Sequence, residues 1–434
     1  MRSIFIFGLF FCCSIGATFG QQADRALNRQ RLFDRFDKDR DGVLSASERQ
    51  ALRAFVTNRS KQSTDRDATA KKEGLEKLYK TSDGPYAVEF VKKHVLRDKK
   101  RDKDLQLRIT FPKEGEQFPL IVWSHGASGT KDNYQPIVRH WVSHGYVVIA
   151  ANHSDSRALR PIDPTKRLGE ATFRDWENRP EDVRFILDSI ASLQRDIPKL
   201  DNKINRSVIG VGGHSFGAHT AQLVGGTQTK GFTGERKSHA DKRPKAFLLI
   251  SPQGRGPQLD EKSWAELHRP ALVVTGSNDG GRNGQDHTWR LDPFEFSPPK
   301  DKHLLFIEDA YHGFGGITGI SGMGNSGPEN PNHVAYVQST TTAFWDAYLK
   351  NDSAAKLALA KSKIKTLSDG EASIRRRESE TPKRSTSKKE FDQGTSLDKR
   401  PVGKLKTKTR DLVWTDRQRD RDIPIRVYSP VSPG

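Results

Sequence analysis

A serine in the setting of an activated nucleophile lies at position 215. Residues 213–217 read GHSFG, which fits the pattern G-x-S-x-G, and they follow the apolar run VIGV and precede an apolar helical pattern. Small residues on both sides let the backbone turn sharply and present the Ser215 hydroxyl at the start of a helix. Because a serine hydroxyl is a weak nucleophile at neutral pH, this chemistry also needs a histidine to take its proton and a carboxylate to orient that histidine.

The two partners are predicted at Asp279 and His312. Asp279 follows the apolar run ALVVT in the segment TGSNDGG, and His312 follows the run HLLFI in the segment EDAYHGFGG. Each lies just beyond the carboxyl end of a predicted strand, where the sites of open parallel sheets gather. The order serine, aspartate, histidine is also the one expected after a strand-turn-helix serine motif. We therefore predict Ser215 as nucleophile, Asp279 as acid and His312 as base.

Further acids and bases close in sequence are alternatives. They are three aspartates, Asp286, Asp292 and Asp309, and two histidines, His287 and His303. The two histidines are weaker candidates because one lies in the loop that carries the predicted acid and the other would begin a buried strand.

An ester carbonyl under attack also needs two preorganised N–H donors, each typically worth ~100- to 1000-fold in rate. Phe216, the residue after the nucleophile, is expected to supply one. The other is expected from the loop after the strand LIVW, where residues 124–127 read SHGA, and the Ala127 N–H is the candidate. His125 in this loop is interpreted as a structural residue rather than a base.

A second motif points to calcium. Residues 37–48 read DKDRDGVLSASE and match the twelve-residue EF-hand loop at every ligand position, with a glycine where the loop must bend. The predicted ligands are the side chains of Asp37, Asp39, Asp41 and Glu48, the Val43 carbonyl, and Ser45 through a water molecule. Apolar positions at helical spacing on both sides predict helix, loop, helix over residues 23–57.

The elements that must position the serine site alternate between strand and helix. Strands are predicted at residues 105–111, 120–123, 146–150, 207–211, 246–250, 271–275 and 303–307, and helices at 136–144, 180–193, 218–224, 264–268 and 333–349. Strands as continuously apolar as LIVW and ALVVT suit a sheet buried on both faces. The fold class is therefore predicted as α/β, a doubly wound and mostly parallel sheet.

These segments resemble the dienelactone hydrolase and platelet-activating-factor acetylhydrolase group. The likeness rests on LIVWSHGASGTKDNYQPIVRHWVSHGYVVIAANHSDS, RPEDVRFILDSI, GGHSFGAHT, LLISPQG, TGSNDGG and YHGFGG, in this order, over most of residues 86–350. It implies an α/β-hydrolase fold with Ser215, Asp279 and His312 as triad and Ala127 and Phe216 as oxyanion donors. Dienelactone hydrolases proper use a cysteine nucleophile, so the serine here favours plain esters.

The N-terminus predicts export. Residues 1–20 carry a basic residue, an apolar run and then small residues, which is typical of a signal peptide, and no later segment has the ~20 apolar residues of a transmembrane helix. Both cysteines lie inside this leader, so no thiol is expected in the mature chain. We expect a periplasmic or extracellular protein without a transmembrane anchor.

Composition divides the rest of the chain. We predict a linker at 58–85, the hydrolase domain at 86–350, and a disordered basic linker at 351–410, where the excess behind the net charge of +19 is densest. This tail could contact an anionic surface, but no nucleic-acid-binding motif accompanies it. Residues 414–430 align without gaps to residues 96–112, so residues 411–434 are interpreted as a partial repeat of the opening hairpin, or otherwise as a coincidental charged hairpin.

The sequence as a whole predicts an exported serine hydrolase that cleaves carboxylic esters. The expected substrate is a small-molecule or lipid-like ester, Ca²⁺ at the EF-hand is expected to be structural, and no cofactor is expected for catalysis. The alternative is a non-catalytic, calcium-dependent binding or scaffold protein on a retired hydrolase fold.

Overall fold

The computed structural model describes residues 73–159, 173–231, 233–319 and 324–377, together with two strands at 407–416 and 421–430. The predicted signal peptide (1–20), the EF-hand unit (23–57) with its six calcium ligands, and residues 58–72 of the predicted linker lie outside the described residues.

One large sheet organises the described part of the chain up to residue 377. Its strands are β1 (Val88–Asp98), β2 (Lys103–Pro112), β3 (Phe118–Ser124), β4 (Val147–Ala151), β5 (Ile204–His214), β8 (Ala246–Ile250), β9 (Ala271–Asn278), β10 (Lys302–Tyr311) and β11 (Ala372–Arg377); the short strands β6 (Gln228–Lys230) and β7 (Arg236–Ser238) form a separate ribbon. The spatial order is β1-β2-β4-β3-β5-β8-β9-β10-β11. The six central strands, from β4 to β10, pair in parallel, while β1, β2 and β11 are joined antiparallel.

Helices cover both faces of this sheet. They are α1 (Gln135–Ser143), α2 (Phe173–Asp188), α3 (Ile190–Asp196), α4 (Phe216–Gly225), α5 (Asp292–Phe296), α6 (Pro331–Leu349), α7 (Ser353–Ala360) and α8 (Ile364–Leu367). Alternate residues of β3 show how the two faces form, because Leu120 and Val122 join the cluster that includes α2 to α4, whereas Ile121 and Trp123 join the cluster that includes α1 and α6. The predicted doubly wound, mostly parallel sheet is confirmed.

All seven predicted strands are present, but two predicted helices differ. The helix predicted at 180–193 begins earlier, at Phe173, and is interrupted at Ser189 between α2 and α3. The helix predicted at 264–268 is instead a single 3₁₀ turn, Glu261–Trp264, which Asp260 caps and whose Trp264 is fully buried. A short apolar run is too little to distinguish a helix from such a turn.

The structure also corrects both predicted boundaries of the hydrolase domain. Residues before 86 belong to it, since the Tyr79 hydroxyl donates to Asp346 of α6 at 2.9 Å. Residues 353–377, predicted as part of the disordered linker, form α7, α8 and β11. This segment buries four apolar side chains, those of Ala355, Leu359, Ile364 and Ala372. They are enough to order it because α6 and the edge strand β10 already offer an apolar surface on which it packs.

The two strands near the C-terminus form a unit of their own. The strands β12 (Thr407–Asp416) and β13 (Arg421–Pro430) pair antiparallel, with Asp416 opposite Arg421 at the turn. In β1 and β2 the corresponding pair is Asp98 opposite Lys103. The sequence repeat therefore coincides with a repeat of the strand pairing register at these positions.

Candidate active site

The backbone at Ser215 has the strained conformation of a nucleophile between a strand and a helix. Ser215 lies between β5 and α4 with φ 56° and ψ −118°, a region that non-glycine residues rarely adopt. A Cβ on Gly217 would overlap the Ser124 carbonyl oxygen, and one on Gly213 would overlap the Gly217 backbone, so both glycines are required. The Ser215 N–H donates to the Ile250 carbonyl at 2.8 Å, which fixes the turn against β8.

Ser215 is half-buried, whereas its neighbours in the turn are buried. Between Ile209 and Thr227, Ser215 is the one residue that is not buried. Ser215 therefore combines a backbone that is fixed against β8 with partial exposure in an otherwise buried segment.

Asp279 and His312 form a hydrogen-bonded pair at the carboxyl edge of the sheet. Asp279 directly follows β9 and His312 directly follows β10, and His312 Nδ1 donates to Asp279 Oδ1 at 2.7 Å. The carboxylate is fully buried, whereas about a fifth of the His312 side chain is exposed. Because Nδ1 carries the proton toward Asp279, Nε2 is the nitrogen that can accept one.

Three neighbours hold the Asp279 carboxylate in its ionised form. The Ser251 hydroxyl donates to Oδ1 at 2.8 Å, the Thr275 hydroxyl donates to Oδ2 at 3.0 Å, and Arg290 Nε lies 3.6 Å from Oδ1. Burial alone would raise the pKa of Asp279, but the charge of Arg290 and the hydrogen bonds from His312 and Ser251 outweigh it and lower the pKa. The acid is thus charged and able to stabilise a protonated His312.

The serine turn and the histidine loop are held side by side. Ser251, which follows Ile250 in the chain, places its hydroxyl 2.9 Å from His312 Nδ1. His214, the residue before the serine, donates from Nε2 to the His312 carbonyl at 2.8 Å, and the two rings lie 4.5 Å apart. These contacts place the loop of His312 against the residue before Ser215.

The alternative acids and bases lie in other surroundings. Asp286 is exposed and caps a 3₁₀ turn, Asp292 is buried against Arg255, and Asp309 is exposed. His303 is buried in β10 and bonds to the Tyr348 hydroxyl at 2.7 Å. His287 packs against Phe306 rather than against the pair formed by the predicted acid and base.

The loop after β3 packs on the start of α4. Its Ser124 carbonyl touches Gly217, and an ideal Cβ on Gly126 would lie 3.6 Å from the His214 carbonyl oxygen. Phe216 is the first residue of α4, so its N–H belongs to the positive end of the helix. The Ala127 N–H has no acceptor among the residues that the structure describes. The two predicted oxyanion donors therefore lie on segments that contact each other.

Hydrogen bonds that the sequence analysis did not predict connect the loop after β3 to the loop that carries His312. The Gly126 N–H donates to the Tyr134 oxygen at 3.0 Å, and the Tyr134 hydroxyl donates to His214 Nδ1 at 3.0 Å. Burial, reinforced by the neighbouring His312, lowers the pKa of His214 to about 3, so this ring is neutral and accepts through Nδ1. His214, Tyr134, Ser251 and Arg290 were all missed, and only Ser251 had a sequence signal, since it follows a strand at the same edge.

The described residues contain no group of three or more side chains suited to hold a metal ion, and none of their helices is long and apolar enough to cross a membrane. The predicted calcium ligands at residues 37–48 are not among them.

The nine-stranded, mostly parallel sheet with helices on both faces is the fold of the α/β-hydrolase group. A chlorophyllase family model matches residues 79–232, a range that includes Ser215. Over 230 residues the chain is 28% identical to the platelet-activating factor acetylhydrolase of Cavia porcellus, which covers 46% of this chain and 48% of that protein. It is 31% identical over 116 residues to chlorophyllase-1, chloroplastic, of Citrus unshiu (26% of this chain, 31% of that protein), and 26% identical over 208 residues to cutinase est1 of Thermobifida alba (47% and 56%).

The chain spans about half the length of the acetylhydrolases that it matches. The named relatives are ester hydrolases, which supports a hydrolase function for this chain. The family match ends before Asp279 and His312, so of the predicted site residues it includes Ala127, Ser215 and Phe216.

Proposed function

We propose that this protein is a serine hydrolase that cleaves carboxylic esters through an acyl-enzyme. The observation that carries the proposal is the 2.7 Å hydrogen bond from His312 Nδ1 to the buried carboxylate of Asp279, in a loop whose His312 carbonyl accepts from the residue before the strained Ser215. A histidine oriented by a buried carboxylate next to a serine at a helix start is the arrangement that activates a hydroxyl.

The reaction follows from these positions. Ser215 Oγ attacks the acyl carbon as its proton passes to His312 Nε2, and the carbonyl oxygen gains a negative charge that the Phe216 and Ala127 N–H groups stabilise. Asp279 stabilises the imidazolium and keeps its proton-bearing Nδ1 in place. His312 then gives its proton to the alcohol oxygen, which leaves. Water then attacks the acyl carbon as its proton passes to His312, and His312 returns that proton to Ser215 Oγ as the bond between Oγ and the acyl carbon breaks and the acid leaves.

The test is turnover of p-nitrophenyl acetate by the purified chain and by Ser215→Ala. The variant should lose activity by ~10⁶-fold, because triad members act as a unit. Ser207→Ala is the matched control, since Ser207 is exposed on β5, the strand that precedes Ser215, and it should keep wild-type activity. A fluorophosphonate probe should label Ser215 alone. Absence of turnover and labelling in the wild-type chain would favour the non-catalytic binding protein instead.

The substrate class is proposed as a small-molecule or lipid-like ester. Support comes from the names of the relatives, which include an acetylhydrolase and a cutinase. A panel of p-nitrophenyl esters with acyl chains from two to sixteen carbons separates the two classes, because only a site that accepts lipid-like chains retains kcat/KM on the long esters.

We also propose that residues 37–48 bind Ca²⁺, on the strength of their sequence pattern. Titration calorimetry on the full chain should detect one site, with a dissociation constant in the range of roughly 10⁻⁹ to 10⁻³ M that EF-hands span. Glu48→Gln should weaken binding at least ten-fold, whereas Lys38→Gln, at a position between ligands, should not. Equal heats for the wild type and Glu48→Gln would count against the site.

Export is proposed from the N-terminal sequence. The mature protein should begin close to Gln21, which N-terminal mass analysis of the secreted fraction can establish, and an intact Met1 on the exported protein would contradict cleavage.

A further inference from the structure

A buried arginine of α2, Arg179, donates hydrogen bonds to the loop that carries Ala127. The Arg179 side chain is fully buried, and its guanidinium donates to the His125 carbonyl at 2.6 Å and to the Gly126 carbonyl at 3.2 Å. Two consecutive carbonyls of the loop thus share one planar donor group.

The other edge of the guanidinium is paired with Asp155. Nε donates to Oδ1 at 2.9 Å and Nη2 to Oδ2 at 2.7 Å, a two-pronged pairing in which both side chains are buried. Burial alone would raise the pKa of Asp155, but the charge of Arg179 and its hydrogen bonds lower it. Asp155 also accepts a hydrogen bond from the Ser128 N–H at 3.0 Å. Arg179 and Asp155 together therefore bond to the residues before and after Ala127.

These contacts fix the orientation of the peptide unit between Gly126 and Ala127. The Gly126 carbonyl accepts three hydrogen bonds, from Arg179 Nη2, from His125 Nδ1 at 2.7 Å and from the Gly129 N–H at 3.0 Å. In a planar trans peptide the N–H points opposite to the C=O. The Ala127 N–H is therefore directed away from Arg179, and no described residue accepts a hydrogen bond from it.

The same guanidinium also contacts the residue of the other predicted donor. Its central carbon lies 4.2 Å from the centroid of the Phe216 ring. Arg179 therefore touches both segments whose amides would meet the oxyanion, the first through hydrogen bonds and the second through the ring face.

A second buried chain of hydrogen bonds holds the beginning of the loop. The Ser124 hydroxyl donates to His153 Nε2 at 2.8 Å, and His153 Nδ1 donates to Asp182 at 2.9 Å. This set has the residue types of a catalytic triad, but all three side chains are buried, so it cannot meet a substrate. The His153 N–H donates to His125 Nε2 at 3.2 Å, which leaves the proton of that ring on Nδ1, where it reaches the Gly126 carbonyl.

We propose that Arg179 is a positioning residue that holds the Gly126–Ala127 peptide in the orientation that stabilises the oxyanion. The proposal rests on the proposed ester hydrolysis. Arg179 touches no substrate, and its contribution acts through the Ala127 N–H and the Phe216 segment.

Arg179→Lys is the informative variant because lysine keeps the charge opposite Asp155 but cannot supply a planar fork to two carbonyls as well. With p-nitrophenyl acetate, kcat should fall about 100-fold or more, the cost of one oxyanion donor, while KM changes less than about three-fold. Arg184→Lys, a half-exposed arginine of the same helix, is the matched control and should behave like the wild type.

Inhibition by phenylboronic acid separates positioning from a loss of folded protein. Ser215 Oγ adds to boron while its proton passes to His312, and a boron-bound oxygen then occupies the oxyanion position. The inhibition constant should rise in Arg179→Lys by the same factor as kcat falls, whereas misfolding lowers the number of active sites and leaves that constant unchanged. Unchanged kcat, or lowered kcat with an unchanged inhibition constant, would overturn the proposal.

A crystal structure of Arg179→Lys gives a readout without turnover. The Gly126–Ala127 peptide should rotate or occupy two orientations, and a peptide that stays in place would refute the role of Arg179. If the wild-type chain hydrolyses no ester in the Ser215→Ala comparison, the proposed function fails by that test, and the crystal structure still decides whether Arg179 orients the peptide.

Discussion

Replacing Asp279 by asparagine should lower kcat for p-nitrophenyl acetate by about 10³- to 10⁴-fold. Asparagine keeps the shape of the side chain but removes the negative charge next to His312. With Nδ1 and Oδ1 2.7 Å apart, the centres of an imidazolium and a carboxylate lie about 4 Å from each other, and unit charges at that distance attract by about 4 kcal/mol at an effective dielectric constant of about 20. This term alone corresponds to about 10³-fold in rate.

Loss of tautomer control would bring the effect of Asp279→Asn toward the 10⁴-fold typical of such variants. The assay is kcat at saturating ester, with the melting temperature as a check of folding. Asp286→Asn and Asp309→Asn are matched controls, because both carboxylates are exposed whereas that of Asp279 is buried, and both variants should keep wild-type kcat. Retention of a tenth or more of kcat by Asp279→Asn, or a large loss in either control, would refute the assignment of the acid.

Three further changes test the surroundings of the site. Tyr134→Phe removes the hydroxyl between the Gly126 N–H and the neutral ring of His214, so the free energy of unfolding in urea should fall by about 2 to 5 kcal/mol; no loss would mean that the bridge does not stabilise the fold. His219→Leu should make the free energy of unfolding depend less on pH under acidic conditions. Burial lowers the pKa of His219 to about 3, so between about pH 6.5 and 3 only the unfolded chain binds this proton, and wild-type stability should fall with decreasing pH by up to about 1.4 kcal/mol per unit more than in the variant. Gly217→Ala forces a side chain into the neighbouring loop and should lower the melting temperature by roughly 5 to 10 °C, whereas Gly256→Ala, with open space around it, should change it little; equal effects would contradict the close packing.

The hydrophobic pattern of the chain predicted most of the elements. Short segments rich in apolar residues marked all seven predicted strands, because a sheet buried on both faces needs side chains that suit an apolar interior on either side. Strands β1 and β11 were not predicted as such, since they lie at the sheet edges, where half of the side chains remain in water and the apolar signal weakens.

The sequence also predicted which residue types meet at the site, but it left the acid open. Four aspartates lie near the right strand ends, and only the path of the loops between β9 and β10 decides that Asp279 reaches His312 while Asp286, Asp292 and Asp309 do not. The curvature of a loop depends on packing against other segments, which a local pattern does not contain.

Arg179 is the clearest example of a residue whose role could not be predicted from the sequence. In the sequence it is one of many arginines on a polar-looking helix, and nothing in its neighbours indicates that its side chain is fully buried. Its partners, His125 and Asp155, lie 54 and 24 residues away in the chain. A buried ion pair is favourable only when distant groups complete its hydrogen bonds, so its existence is a property of the folded chain.

The sequence by itself determined most of the strand and helix pattern and the strained serine turn with its two glycines, because each depends on neighbours within about a dozen positions. The tertiary structure alone decided the order of the strands in the sheet, the pairing of His312 with Asp279, and the grip of Arg179 on the loop of Ala127. Those features depend on contacts between groups tens of residues apart, and such contacts exist only once the sheet has brought the ends of its strands to one edge.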